Sequence, residues 1–386
     1  MTSSSDTTID LLRRLVAIDT QNPGSPELPA IELLADALRQ SGFAVDIDEF
    51  LPGRANVTAR LENGPGPTLA FNTHVDVVPH GEGWTDSPLS LTERDGRLYG
   101  RGACDAKGQA AVMVEAMRRL AADRETWSGT LMGVFVADEE VGSAGARHFA
   151  ATTAPGSIDY AIIGEPTGNR PVIAHKGSLR PIVRVRGKTA HSGTPDLGIN
   201  AIYQAAKLID HVERTHPEIR QRTHPLVGNA SLTITRIHGG HADNVVPEGC
   251  DIMLDRRLIP GETDAGVKHE LAEIVTRAGE ALGFEAEIVE YKPTTGGAAE
   301  TPADHLIVRT ALAVCSEAVG ETIEAGGFQG GCDMVHFAGL GTDCVVIGPG
   351  SLAVAHQPDE FVPIDELLQA VDIHREMVRR LLPRQA

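Results

Sequence analysis

Apolar residues recur along this chain with two spacings, and the switches between them outline its elements. Ile9, Leu12, Leu15 and Val16 fall three to four apart, which predicts a helix over about 6–18. After a Pro/Gly-rich loop at 21–26, a second helical pattern covers 30–41 and stops at Gly42, a residue suited to a C-cap. Short apolar strands follow at 44–50, 56–61 and 68–73. Residues 108–123 read as a buried helix, and 130–137 and 160–163 as apolar runs bounded by acids and glycines. Buried strands alternating with helices predict an α/β sheet covered on both faces.

The text changes after Lys176-Gly177. Ile182, Val183 and Val185 sit among Arg180, Arg184 and Arg186, as in a half-exposed strand. A helix at about 198–214, strands 231–237 and 251–258, a helix at 263–282 and a strand 285–291 complete the order β-α-β-β-α-β, a ferredoxin-like arrangement. A helix at 306–319, a strand at 344–347 and a closing helix at 365–382 then return to α/β text. A domain at 178–292 is therefore predicted, inserted into a discontinuous one of 1–177 and 293–386. The length of 386 residues suits two cores better than one.

Charge and cysteine usage narrow the field. Asp and Glu total 53 against 34 Lys and Arg, a net charge of -19, so neither nucleic acid nor an anionic membrane is an expected partner. The five cysteines are scattered and never spaced as C-x-x-C, which argues against a disulfide framework or a structural zinc knuckle. No signal-peptide pattern opens the sequence and no apolar run approaches membrane-spanning length. The expectation is a reduced, cytoplasmic protein.

The glycine-rich stretch 99–108 first resembles a dinucleotide fingerprint, but Asp105 stands where that motif needs Gly or Ala. A carboxylate there suggests a metal. Four other positions follow predicted strands, where open α/β sheets place their ligand sites. In His74-Val75-Asp76 the two side chains share a face, so Asp76 can fix the imidazole tautomer. Taken alone, a surface or core-capping histidine is the commoner reading. Asp138-Glu139-Glu140 is equally a solvated face or a ligand beside a free proton shuttle. Glu165-Pro166 is a plain loop or an aimed ligand, and His356 alone is a surface residue. Together, two histidines and three carboxylates make a hard N/O donor set of the kind catalytic zinc accepts.

The ordered motifs His74-x-Asp76, Gly100-Arg-Gly-x-x-Asp105-x-Lys-Gly108, Glu139-Glu140, Glu165-Pro166 and His356 resemble those of the di-zinc amidohydrolase/exopeptidase family. That family includes acetylornithine deacetylases, succinyl-diaminopimelate desuccinylases, aminoacylases and glutamate carboxypeptidases. The segments 161–167, 174–177 and 348–360 are most similar to the acetylornithine deacetylases. The resemblance implies a zinc-peptidase-like catalytic domain with a mixed sheet flanked by helices, and a lid/dimerisation domain at 178–292. It implies two zinc ions, with cobalt or manganese as substitutes. Asp105 would bridge them, His74 and Glu165 would complete one ligand set, and Glu140 and His356 the other. Asp76 would orient His74, and Glu139 would be the general base. His191 would stabilise the oxyanion, in family dimers that of the partner subunit. Asn244, Arg257 and Gly331 would bind substrate, although Arg256 leaves the strand register open. Cys332 in Gly330-Gly331-Cys332-Asp333 departs from relatives with Thr or Ser there.

The expected function is thus metal-dependent hydrolysis of an N-acyl amino acid by a homodimer. Desuccinylase, carboxypeptidase or dipeptidase activity is the alternative within the enzyme class. A metal-binding scaffold without catalysis is the alternative outside it.

Overall fold

Strands Thr68–His74 and Gly129–Val136 are buried at every residue and pair parallel to each other. They form the middle of a mixed sheet. Six of its nine strands run in the order Ala44–Leu51, Arg54–Asn63, Gly129–Val136, Thr68–His74, Tyr160–Ile163 and Asp343–Val346. The last four run parallel, whereas the first two join antiparallel. In the computed structural model, which describes residues 4–384, these six strands belong to one of two compact units. That unit holds the chain up to Ile173, Glu300–Gly327 and the chain from Cys332 onward; the other holds Ala174–Ala299 and Phe328–Gly331.

The first unit covers its sheet with helices, as continuous apolar strands require. Helix Lys107–Ala122 buries all but four of its sixteen residues. Its small residues allow close packing, and Met117 in turn fills the space over Gly133. Ser4–Val16 and Ile364–Leu381 flank this helix. Helices Ala144–Thr152 and Met334–Ala338 contact each other and the sheet strands. The predicted mixed α/β architecture is therefore present.

The second unit has the β-α-β-β-α-β order. Strands Gly177–Arg186, Ser231–Gly239, Gly249–Leu258 and Ala286–Lys292 form an antiparallel sheet with Gly249–Leu258 and Gly177–Arg186 at its centre. Helices Ala201–Arg220 and Asp264–Leu282 share an apolar core with this sheet. The first helix differs from the expected 198–214. Asn200 caps it, accepting the Ile202 N–H at 2.9 Å, and it continues through Pro217 to Arg220. A helix-interior proline costs about 3 kcal/mol. Burial of Ile219, 1% exposed, offsets roughly 2 kcal/mol of that.

Candidate metal centre

The parallel strands deliver the candidate side chains at one edge. His74 ends Thr68–His74, Glu139 and Glu140 follow Gly129–Val136, and Glu165 follows Tyr160–Ile163. His356 lies on the loop after Asp343–Val346, with φ +63°. Asp105 enters from the glycine-rich turn ahead of Lys107–Ala122. Gly102 has φ +84°, and a Cβ there would stand 2.8 Å from Val77 Cγ1 and 2.9 Å from Lys107 Cδ. Only glycine lets the turn close. Lys107 is buried against it and donates to the Ile18 carbonyl at 2.7 Å.

The donors converge on Asp105. Its Oδ1 is 3.3 Å from His74 Nε2, and its Oδ2 is 3.3 Å from His356 Nε2. Glu165 Oε1 lies 4.0 Å from His74 Nε2, and Glu140 Oε2 lies 3.0 Å from His356 Nε2. Two donor sets result, His74/Asp105/Glu165 and Asp105/Glu140/His356, each with its donor atoms within 4.8 Å of one another. They share one carboxylate that faces one oxygen to each. Glu139 is buried beside them and joins neither set.

Asp76 does more than steady an imidazole. His74 Nδ1 is 2.9 Å from the Asp76 backbone carbonyl and 3.4 Å from its carboxylate. With Nδ1 so held, Nε2 is free to face Asp105. The same carboxylate accepts the backbone N–H groups of Glu139 at 3.0 Å and Glu140 at 3.1 Å, and the Asn22 amide at 2.9 Å. One buried acid thus sets both the histidine and the turn that carries Glu139 and Glu140. Asn22 also donates to Asp138, and Arg54 ties Asn22, Asp138 and Glu27 together behind the turn.

The electrostatics are those of a site built around cations. Burial opposes the charge of Asp105, but hydrogen bonds from His356 and His74 outweigh it and hold the group below the usual carboxylate range. Burial, then the neighbouring Asp105, raises Glu140 and Glu165. Burial also raises Glu139, with Glu165, Asp333 and Glu140 adding to it and His74 opposing. His356 is pushed up to about 10 by its hydrogen bonds to Asp105 and Glu140. Five acids crowd two histidines, and a divalent cation in each donor set would relieve that repulsion. Imidazole nitrogens and carboxylate oxygens without thiolates suit zinc, cobalt or manganese. Cys104 and Cys332 are buried and belong to neither set.

The second unit groups further expected residues. His191 pairs with Val245 in a two-stranded ladder, and the Ser192 N–H donates to the Asn244 carbonyl at 2.9 Å. His191 Nδ1 accepts the Gly193 N–H at 3.0 Å, so the exposed ring carries its proton on Nε2. The register at 256–257 is also resolved. Arg256 turns inward, fully buried and paired with Glu262 and Glu270. Arg257 is partly exposed and donates to Asp255 at 2.7 Å. Gly331 approaches Thr295, whose Cβ would lie 3.1 Å from an added Cβ.

Sequence reasoning missed several polar partners. Asn22 and Arg54 hold the donor loops from positions without local motifs, and Glu360 does so from the end of the 348–360 segment. Asp333 is buried with one carboxylate oxygen unpaired among the described residues, and burial raises it to about 6. The only signals were the Gly330–Asp333 string and the Pro-Asp-Glu run after His356.

Residues 70–380 match peptidase family M20/M25/M40. An acetylornithine deacetylase from Proteus mirabilis is 34% identical, with 97% of this chain and 96% of that protein covered. One from Photorhabdus laumondii is 36% identical, with 92% of each covered. Among crystal structures, an M20 family metallo-carboxypeptidase from Sulfolobus solfataricus shares the fold with a TM-score of 0.78 at 18% identity, over 97% of this chain and 99% of that one. A dinuclear metal-binding M20 peptidase from Bacillus subtilis has a TM-score of 0.76 at 17% identity, over 98% of both chains.

Proposed function

Because this chain belongs to peptidase family M20/M25/M40, we propose that it is a zinc-dependent deacylase cleaving the amide bond of an N-acyl amino acid, with acetyl as the preferred acyl group. The acetylornithine deacetylases it is similar to support that substrate class. The observation that carries the reading is Asp105, whose two oxygens face two separate donor sets. Two divalent cations held by His74/Asp105/Glu165 and Asp105/Glu140/His356 would supply Lewis acidity toward the scissile carbonyl and the attacking water.

The chain's own residues do the rest. Glu139, free of both sets, takes the proton of the attacking water and passes it to the departing amine. Its buried position excludes competing solvent. Asp76 fixes the backbone from which Glu139 and Glu140 project. His191, with Nε2–H available, is the proposed donor to the tetrahedral oxyanion. Asn244, Arg257 and the Gly331 backbone are the proposed substrate contacts, Arg257 through the substrate carboxylate. A cytoplasmic homodimer associating through 178–292 completes the reading. It is supported by the exposed apolar side chains Leu197, Ile199 and Tyr203, which are 69%, 50% and 71% exposed.

The test pairs substrates with metal control. Protein stripped by chelator and restored with zinc should hydrolyse N-acetyl amino acids faster than N-succinyl amino acids or dipeptides. Glu139→Gln should lower kcat by about 10²–10⁴-fold while retaining its metal. Full activity in that variant would remove Glu139 from its role. A preference for dipeptides would replace the deacylase with a peptidase.

A further inference from the structure

Glu360 belongs to neither donor set, yet it lies where the loops of Asp105 and His356 meet. It is fully buried. Its Oε1 accepts the backbone N–H groups of Gly102, Cys104 and Asp105, each at 3.0 Å. Its Oε2 pairs with Arg101, itself 1% exposed, and its backbone carbonyl accepts the Gly100 N–H at 3.0 Å. Convergent backbone N–H groups form a concave nest of the kind that binds anions. Here the chain fills the nest with its own carboxylate.

We propose that Glu360 is a positioning residue for the two-metal centre. By holding the amide of Asp105 it sets the angle at which that carboxylate offers one oxygen to each donor set. Lying four residues beyond His356, it anchors that histidine's loop to the same point. The bridging ligand and the most exposed ligand therefore share one fastener. A simple counter-charge for Arg101 would need only Oε2; the three amides on Oε1 are what extend its role to Asp105. This inference rests on the metal-dependent reading above, but its test needs no substrate.

The measurement is titration of chelator-stripped full-length protein with cobalt(II), followed by calorimetry and by the visible d–d spectrum. Glu360→Ala should weaken binding of both equivalents by about 10- to 100-fold and change the band shape. Glu360→Gln keeps an acceptor oxygen and should lose about tenfold. Asp359→Ala is the comparator. It removes the clamp on Thr85, whose N–H and hydroxyl Asp359 accepts at 2.9 and 2.7 Å, without touching the Asp105 loop, and should leave cobalt binding unchanged. With metal saturating, Glu360→Gln should lower kcat and leave KM near the parent value. Parent-like affinity and spectrum in Glu360→Ala would overturn the proposal, as would an equal loss in Asp359→Ala. Should Glu360→Ala not fold, parent-like binding by Glu360→Gln would overturn it alone. A parent that itself binds no cobalt would instead remove the metal centre.

Discussion

His356 is the donor most open to solvent, with half of its side chain exposed, and it is also held protonated up to about 10. Its pKa is raised above the ordinary 6.5, so in metal-free protein its ion pairs contribute fully below about 6.5 and fade as pH rises through about 10. Metal binding has the opposite demand, because imidazole must lose its proton to ligate. Affinity should therefore rise from pH 6 to pH 9. Calorimetry in buffers of different ionisation heat should find about one proton or more released per protein at pH 7.5. No release would mean that His356 is not a ligand. The candidate donors were picked out because acids and histidines after apolar runs stand out residue by residue. The split of Asp105 between two sets was legible only through the family resemblance, since it depends on strand ends far apart in sequence meeting at one edge. Asp76 was read as a partner of His74; that its carboxylate also holds two amides 63 and 64 residues away has no local signature.

Long elements were readable and short ones were not. Helix Lys107–Ala122 and strand Gly129–Val136 advertise themselves by the apolar runs Ala110–Val114 and Leu131–Val136. The three-residue strands Thr92–Arg94, Arg97–Tyr99 and Phe361–Pro363 are too brief for any period to show. Within the closing helix Ile364–Leu381, His374 faces inward, edge-on to Phe71 at 5.2 Å, and its Nδ1 lies 2.8 Å from the Ala370 carbonyl. Burial lowers it from 6.5 to about 4. The folded state therefore keeps it neutral, and its share of stability is present above pH 6.5 and lost as pH falls toward 4. The full effect is about 3 kcal/mol. Relative to the parent, His374→Leu should gain about that much in denaturant midpoint stability between pH 7 and pH 4. Parallel pH profiles for the two proteins would refute the assignment.

At the scale of the molecule, the inserted unit is where the proposed dimer is tested. Its helix entry leaves Leu197, Ile199, Ile202 and Tyr203 exposed, an apolar run unusual for a free surface. A Leu197→Asp/Tyr203→Asp variant should sediment as a monomer while the parent sediments as a dimer, and an unchanged sedimentation coefficient would move the interface elsewhere. Mixed dimers of His191→Ala and Glu139→Gln subunits should regain activity if His191 serves the partner's centre; inert mixed dimers would argue against that service. The expected division into an α/β body and a ferredoxin-like insert came from the abrupt change of periodicity near Lys176; the compact units change over at Ile173/Ala174 and Ala299/Glu300. The discontinuous body also orders events during synthesis. About 190 residues separate Glu165 from His356, which a ribosome needs roughly 10–40 s to add. The three donors of one set, His74, Asp105 and Glu165, are synthesised while His356 of the other is still untranslated. A cell short of metal would then meet the nascent chain as a one-ion protein, and loading of the second ion would wait for its final segment.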